Sequence, residues 1–307
     1  MIPSIILSRG ILFCPFSPRW LVSRDREDEA RDVLMTIRSA TYEEIKDEID
    51  RIKNELVELR ENEIESYRQL FQFPLLRPFL LGIGIHILQQ ISGINAILYY
   101  APYVFNQTVI NNSSNLSSEN TSLVMTGSVG TINFLFTIPT IVAIDKLGRR
   151  VLLLAGATTM CISFLIVTIS IKNLYGVVSN WMQIVFLHIF VAGFAFSWGP
   201  IPCIYCAEIF PLTMRAKATS ITLAVNWGVD CIVSFVVPLV IRQHNWQTFL
   251  TFCIICAFMI IIVYLFYPET KRKHLEDRNL MESGQVFIPD WLELRRRRNY
   301  VTLSTNS

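Results

Sequence analysis

The sequence predicts an all-α integral membrane protein in which six spans, arranged as two sets of three, follow a group of short cytoplasmic helices. Of the 307 residues, 52% are hydrophobic and only 17% are charged, a balance that soluble domains rarely show. No charged residue occurs between Phe79 and Ser118. This run and five later ones are each long enough to cross a hydrocarbon core of about 30 Å as a helix that rises about 1.5 Å per residue. The later runs are Leu123 to Ile144, Val151 to Ile171, Trp181 to Ala207, Ala218 to Ile241 and Trp246 to Tyr267.

Residues 1–14, "MIPSIILSRGILFC", form an apolar segment that is shorter than a span and is interrupted by Arg9. A secretory signal peptide would begin with its basic end and finish at a small-residue cleavage site, and this segment has neither feature. We therefore interpret residues 1–14 as the remnant of a preceding membrane helix.

Residues 15–77 are predicted to form a helical linker in the cytoplasm. Residues 24–68 contain nine basic and fifteen acidic side chains, whereas the rest of the chain contains eighteen and ten. An apolar stripe recurs at spacings of four and three, which is typical of amphipathic helices. It could be a coiled-coil partner site, but its two heptads favour packing against the rest of the protein. The stripe consists of Ile45, Ile49, Ile52, Leu56 and Leu59.

The distribution of lysine and arginine predicts that both termini are cytoplasmic. Connections on the side of the linker carry eight basic residues, whereas the opposite connections carry Lys172 and Arg242. Loop 106–122 then lies outside, where glycosylation is plausible at its Asn-x-Ser/Thr sequons.

In the basic tail, 271–307, Arg295 to Arg298 either bind anionic lipid or reinforce the topology. The cytoplasmic basic residues are Lys146, Arg149, Arg150, Arg215, Lys217, Lys271, Arg272 and Lys273, and the sequons begin at Asn106, Asn111, Asn112, Asn115 and Asn120.

Two spans contain helix-breaking residues at corresponding positions. The first span of one set contains Gly93 after Ser92, and the first span of the other contains Gly199, Pro200 and Pro202. Such paired interruptions indicate a transporter's substrate site, because unwound backbone is tolerated where it lines a cavity. The alternative is that glycine and proline are simply common in membrane helices.

The stretch "QQISGINAILYY" places neutral polar groups beside the first break. Its amides, Gln89, Gln90 and Asn95, both donate and accept hydrogen bonds, and Tyr99 and Tyr100 add flat faces that end in hydroxyl groups. These uncharged donors and acceptors are better suited to binding a neutral polyol than to binding an ion. A straight helix would not present all five side chains to one ligand, so this hypothesis requires the break. The alternative is that the side chains join neighbouring helices.

The sequence argues against an enzyme, a metal protein and a nucleic-acid partner. No span pairs a nucleophile with a base, and His86 and His188 are predicted to be hydrogen-bonded helix residues. The Cys-x-x-Cys pairs at Cys203 and Cys253 lie in apolar segments, which favours helix packing over metal binding. We expect no cofactor other than a possible coupled proton.

Five motifs in order resemble the sugar porter family, major facilitator transporters of hexoses and other small sugars. They are "SPRWLV" (17–22), "QQISGINAILYY" (89–100), "DKLGRR" (145–150), "WGPIPCIYCAEIFPLTMR" (198–215) and "YPETK" (267–271). The resemblance covers residues 15 to about 280 and implies the C-terminal six-helix bundle of that fold.

The resemblance also implies roles for individual residues. Sugar contacts are expected from Gln89, Gln90, Asn95, Tyr99, Asn133 and Asn226, with Trp227 nearby and Tyr100 closing over the pocket. A cytoplasmic charged cluster that holds helix ends together in the outward-facing state is expected from Asp145, Arg149, Arg150, Glu208, Arg215 and Glu269. The alternative is a set of topology-fixing surface charges.

The chain departs from the family pattern at four positions. Cys203 stands where a tryptophan usually lies beneath the sugar, and Asp230 stands where many relatives have asparagine. An acidic group at membrane depth costs about 2.5–3.5 kcal/mol on insertion scales and is a functional candidate. Asp230 could bind a proton or a substrate amino or hydroxyl group, or face a neighbouring donor. Phe16 replaces a usual glutamate and Arg272 a usual glycine, which predicts an incomplete charged cluster.

The resemblance implies twelve spans in two halves, and this chain resembles the second half alone. The expected function is sugar transport by alternating access, with the other six-helix half supplied by upstream sequence or by a partner chain. The alternatives are a non-transporting sugar sensor and an inactive truncated fragment. The expected location is the plasma membrane, and the expected partners are a small sugar and the lipid bilayer.

Overall fold

A computed structural model describes residues 2–38, 42–61, 66–73, 75–98, 118–174, 176–243 and 245–270. The described residues in regular structure are all helical. The chain divides into two compact units, Met1–Glu65 and Ser66–Ser307. The boundaries predicted for the linker and the tail remain predictions, and tail 271–307 lies outside the described residues.

The first unit contains four helices: α1 (Ile2–Phe13), α2 (Pro18–Ser23), α3 (Glu27–Ile37) and α4 (Tyr42–Glu61). α1 is apolar and shorter than a span, and its origin as a remnant stays a prediction. Proline at the first position of α2 has the fixed φ that a helix start requires.

The apolar stripe of α4 packs inside the first unit. Ile45, Ile49 and Ile52 are buried against Leu21 of α2 and Leu34 of α3. Ion pairs flank this core, with Lys53 Nζ 2.7 Å from Glu27 Oε1 and Arg38 Nη1 2.7 Å from Glu48 Oε2. Packing within the chain, rather than a coiled-coil site, is therefore confirmed for the described part of the stripe; the side chain of Leu59 lies outside it.

Truncating Ile45 tests this core. Because Ile45 is fully buried, Ile45→Ala should destabilise α4 by about 2–4 kcal/mol through lost burial and the cavity left behind. Hydrogen exchange of the α4 amides measures the change. Val57→Ala is the matched control, since Val57 is 56% exposed on the same helix, and equal effects of the two variants would contradict the packing.

The described residues of the second unit begin with a short 3₁₀ helix and continue through a series of α-helices. The 3₁₀ helix is Tyr67–Phe71, and the others are α5 (Leu76–Ile91), α6 (Ser118–Leu147), α7 (Arg149–Asn173), α8 (Val177–Phe196), α9 (Ile201–Ile209), α10 (Leu212–Gln243) and α11 (Asn245–Phe266). A further helical segment over 94–98 follows α5.

Six helical stretches among the described residues are long and apolar enough to cross a membrane, as predicted. α8 and α9 together form the fourth. The stretches are Leu76–Leu98, Thr126–Leu147, Arg149–Asn173, Val177–Ile209, Thr213–Leu239 and Trp246–Phe266. The sequons at Asn106, Asn111, Asn112 and Asn115 lie outside the described residues, and α6 begins at Ser118, inside the loop predicted over 106–122.

The packing of the spans follows the two predicted sets of three. α5, the first helix of one set, packs against α10, the second of the other, and α8 packs in the same way against α6. The third helices, α7 and α11, pack extensively on each other. This reciprocal pairing brings α5, α9 and α10 together and so positions the two helix breaks.

Candidate functional site

The first break separates α5 from the segment 94–98. α5 ends at Ile91, Ser92 Oγ donates to the carbonyl of Gln89 at 2.7 Å, and Gly93 has φ +90°. A β-carbon at Gly93 would lie 2.8 Å from the Phe252 ring, so both conformation and space require glycine here. The break predicted from Gly93 is confirmed.

The second break separates α8 from α9. α8 ends at Phe196 and α9 begins at Ile201, so Gly199 and Pro200 lie in the turn and Pro202 lies in the first turn of α9. Because proline has no N–H, Pro202 cannot satisfy the carbonyl four residues earlier.

The carbonyls of the second break are used by α5. Gln89 Nε2 donates to Trp198 O at 2.8 Å and to Gly199 O at 3.1 Å. The second break therefore supplies two backbone acceptors to the polar segment of the first span.

Four amides from α5, segment 94–98 and α10 form one hydrogen-bonded chain, which we call the amide network: Asn95, Gln90, Asn226 and Gln89. Asn95 Nδ2 donates to Gln90 Oε1 at 2.5 Å, and Gln90 Nε2 donates to Asn226 Oδ1 at 2.8 Å. Asn226 Nδ2 donates in turn to Gln89 Oε1 at 2.9 Å. The predicted break thus allows Asn95, which lies beyond the end of α5, to meet Gln90 near that end. These bonds join helices directly, and contact with sugar stays a prediction.

Asp230 lies at the Asn95 end of the amide network. Its Oδ1 accepts from Asn95 Nδ2 at 2.5 Å and from Ser234 Oγ at 3.4 Å, and the residue is only 7% exposed. Of the open interpretations, the structure supports the one in which this carboxylate faces neighbouring donors.

His86 also joins the amide network. It is 1% exposed, and its Nδ1 lies 3.1 Å from Asn226 Nδ2 and 3.4 Å from Gln89 Oε1. It is a hydrogen-bonded helix residue, as predicted, but its place in the site was missed. His86 precedes Gln89 by three residues and Gln90 by four, and residues at these spacings share a helix face. This spacing could have placed His86 in the site.

Among the described residues, the side chains of Trp227 and Asn133 take no part in the amide network, and their contact with sugar stays a prediction. Trp227 is 67% exposed, since adjacent residues of a helix point about 100° apart and Asn226 faces α5. Asn133 is half-buried on α6, which packs against α7 and α8, and its side chain bonds to no described member of the amide network. Tyr99 and Tyr100 lie outside the described residues. Cys203 is exposed in the first turn of α9.

The predicted charged cluster is centred on Arg149 at the start of α7. Its Nη2 lies 2.6 Å from Glu208 Oε1 of α9 and 3.5 Å from Asp145 Oδ1 of α6, and its Nη1 donates to Ile144 O at 3.0 Å. The Arg149 side chain is 13% exposed. One guanidinium therefore joins the ends of three helices.

Glu269, which follows α11, caps the start of α7. Its carboxylate accepts from the backbone N–H groups of Arg149 at 2.9 Å and Arg150 at 3.1 Å, two of the donors that a helix start leaves unpaired. Gly148 permits this approach, since it has φ +93° and a β-carbon there would lie 2.7 Å from Glu269 Oε2. Thr270 Oγ1 donates to Glu208 Oε2 at 2.6 Å, which joins the cap to the ion pair.

The last two predicted cluster residues bind backbone carbonyls. Arg150 Nη2 donates to Tyr264 O at 2.7 Å, and Arg215 donates to Phe210 O at 3.0 Å and 3.2 Å. Beside them, Tyr267 OH donates to Leu81 O of α5 at 2.9 Å. The cluster ties α5, α6, α7, α9 and α11 at one end of the bundle.

In the part of the chain that the structure describes, no group of three His, Cys, Asp or Glu side chains is arranged to hold a metal ion. His188 Nδ1 lies 2.7 Å from Ile184 O and its Nε2 lies 2.6 Å from Ser128 Oγ, so it is a hydrogen-bonded helix residue as predicted.

The chain is similar in sequence to known transport proteins. Residues 1–281 match the family model described as "Sugar (and other) transporter". The chain is 36% identical over 281 residues to the glucose transporter GlcP of Staphylococcus epidermidis, covering 90% of this chain and 59% of that protein. It is 33% identical over 278 residues to the arabinose-proton symporter of Bacillus subtilis, covering 90% and 57%.

A solved structure is also similar. XylE, a major facilitator superfamily proton:xylose symporter with bound 6-bromo-6-deoxy-D-glucose, matches with a TM-score of 0.72 and 30% identity, covering 91% of this chain and 57% of that one. The expected major facilitator fold is thereby confirmed. The chain spans a little over half the length of the relatives it matches.

Proposed function

Because the chain belongs to the family of sugar and other transporters, we propose that it forms one six-helix half of a carrier and supplies most of the contacts to a hexose-like sugar. The amide network carries this proposal. It gathers neutral groups that both donate and accept beside two helix breaks, a combination that suits a polyhydroxyl ligand at membrane depth.

The names of similar proteins support the class of substrate. GlcP is a glucose transporter, the Bacillus protein is an arabinose-proton symporter, and XylE was solved with a halogenated deoxyglucose. A hexose or pentose is therefore the first ligand to test on this chain. A coupled proton stays a prediction.

A second six-helix half would line the other side of the transport pathway. Only 17% of the α6 span and 22% of the α10 span is buried, compared with 50% or more for the spans formed by α5, α7 and α8 with α9. A further bundle against α6 and α10, of the size by which the relatives exceed this chain, would cover the amide network from the other side. Rocking of the two halves would then expose the sugar to each side in turn.

The charged cluster fits such a cycle. Its carboxylates and arginines join helix ends at the side predicted to be cytoplasmic, where paired charges can separate and rejoin as helices move. We also propose insertion in the plasma membrane with both termini in the cytoplasm, which the distribution of lysine and arginine supports.

Replacing Gln90 tests the proposed function. Gln90→Leu removes two bonds of the amide network and is expected to lower D-glucose uptake about tenfold in cells that lack hexose carriers. The cells should express the chain together with whatever sequence precedes it in the transcript.

The matched control is Gln183→Leu, the same substitution in α8, where the amide bonds to Ser179 at 3.0 Å. Its uptake should equal that of the unmodified chain when both are present at equal levels. Absence of uptake by the unmodified chain, with correct membrane insertion, would reject the transport proposal in favour of a sensor or an inactive fragment.

A further inference from the structure

We infer that Asp230 is a positioning residue that turns the Asn95 end of the amide network into a hydrogen-bond acceptor, so that the sugar group bound there must donate. The inference rests on the proposed function, since it concerns the same site. It adds whether a bound sugar group must donate or accept a hydrogen bond at this site, and it assigns that choice to the carboxylate of Asp230.

The two ends of the amide network fix the orientation of every amide between them. At one end, the carbonyls of Trp198 and Gly199 can only accept, so Gln89 must present its Nε2 to them. Its Oε1 then faces Asn226, and the alternation of nitrogen and oxygen continues through Gln90.

At the other end of the amide network, Asp230 also acts as an acceptor and so requires an amide nitrogen to face it. Its Oδ1 accepts from Asn95 and from the Ser234 hydroxyl, so the side chain that faces it must be the amide nitrogen of Asn95. Orientations inferred from both ends agree, which is a stronger basis than the placement of any single amide.

This arrangement uses the amide hydrogens of the network almost completely. An amide nitrogen has two hydrogens, and Asn95 Nδ2 gives them to Gln90 and Asp230. Asn226 Nδ2 gives one of its hydrogens to Gln89 Oε1 and also lies 3.1 Å from His86 Nδ1, so Asn95 is an amide whose two hydrogens are both committed within the protein.

The amide oxygen of Asn95, unlike its nitrogen, is available to a ligand. Asn95 is half-buried, and its Oδ1 accepts no hydrogen bond from the residues that the structure describes. A ligand that reaches Asn95 therefore meets an acceptor. A sugar hydroxyl or amino group can bind there by donating, whereas a group that only accepts cannot.

Asp230 is essential to this selectivity because an apolar side chain would release one hydrogen of Asn95. With Asp230→Ala, Asn95 could donate to the ligand, and the site would tolerate an accepting group. With Asp230→Asn, the new amide oxygen can still accept from Asn95 and preserve the selectivity.

The experiment measures equilibrium binding of D-glucose and its monodeoxy and deoxyfluoro analogues to the full chain in lipid nanodiscs. Fluorine accepts a hydrogen bond weakly and donates none. At one hydroxyl position, the unmodified chain should bind the deoxy and deoxyfluoro analogues equally weakly. Asp230→Ala should bind the deoxyfluoro analogue about threefold more tightly than the deoxy analogue.

Two further variants separate positioning from a structural role. Asp230→Asn should return the ratio of the two analogues to that of the unmodified chain, and Cys231→Ser, an exposed neighbour, should leave it unchanged. A general structural defect would weaken all three sugars together and leave the ratio unaltered in Asp230→Ala, and that result would overturn the inference.

Binding of the analogues to the unmodified chain can also overturn the inference. Tighter binding of the deoxyfluoro analogue than of the deoxy analogue at every sensitive position would show that Asn95 donates to the sugar. No binding of any of these sugars by the unmodified chain would instead reject the proposed sugar site itself, and the inference with it.

Discussion

Replacing Arg149 with leucine is expected to lower the free energy of unfolding of the membrane bundle by about 3 kcal/mol. The Arg149 guanidinium is largely buried and bonds to Glu208 of α9, Asp145 of α6 and the carbonyl of Ile144. Leucine would leave the Glu208 carboxylate with the Thr270 hydroxyl but without the arginine charge. Removing one partner of a partly buried pair costs more than the pair contributes, because the other charge stays desolvated.

Unfolding in mixed detergent micelles, followed by circular dichroism, measures this change. Asp145→Asn is the matched control, because Asp145 is 77% exposed and 3.5 Å from the same guanidinium. It should cost at most about 0.5 kcal/mol. The double variant Arg149→Leu with Glu208→Leu should be more stable than the sum of the single losses predicts. Equal losses from Arg149→Leu and Asp145→Asn would show that the cluster is only a set of surface charges.

Gly93→Ala is expected to cause the second large effect, a loss of about 3 kcal/mol in stability together with loss of sugar binding. A φ of +90° disfavours any residue with a β-carbon by about 1–2 kcal/mol. The added carbon would also lie 2.8 Å from Phe252 on α11, so that ring would have to move. Relief of this strain would straighten the first span and move Asn95 away from Gln90.

The same unfolding assay and D-glucose binding in nanodiscs measure the two parts of this prediction. Gly127→Ala in α6 is the control, because a β-carbon there meets nothing within 4 Å and alanine favours a helix. Its stability should be equal or slightly higher. Sugar binding that survives in Gly93→Ala at full affinity would contradict the requirement for a broken helix.

Much of this architecture could be predicted from the sequence. Run length and the scarcity of charge gave the six spans, since the bilayer thickness sets the length of an apolar helix. The two breaks were predictable because Gly93 and Pro202 each have a backbone property that an unbroken helix does not accommodate. The charged cluster followed from motifs rather than from physics, and Arg149, Glu208 and Glu269 do meet.

The partners within the site were harder to predict, because they depend on how helices far apart in sequence are rotated toward each other. His86 was considered alone, yet α10 places Asn226 against it. The resemblance implied that Trp227 lies near the sugar, although the helix turns its indole to an exposed face. The environment of Asp230 could not be decided until Asn95 and Ser234 were placed beside it.

Side-chain amide NMR of the full chain in nanodiscs shows whether the amide network binds a sugar. Nitrogen-15 labelling of Gln and Asn allows the resonances of Gln89, Gln90, Asn95 and Asn226 to be followed during a titration with D-glucose. If the amide network binds the sugar, these four resonances shift saturably while that of Gln183 in α8 stays unchanged. Saturable glucose binding that leaves all four unshifted would contradict a sugar site at the amide network.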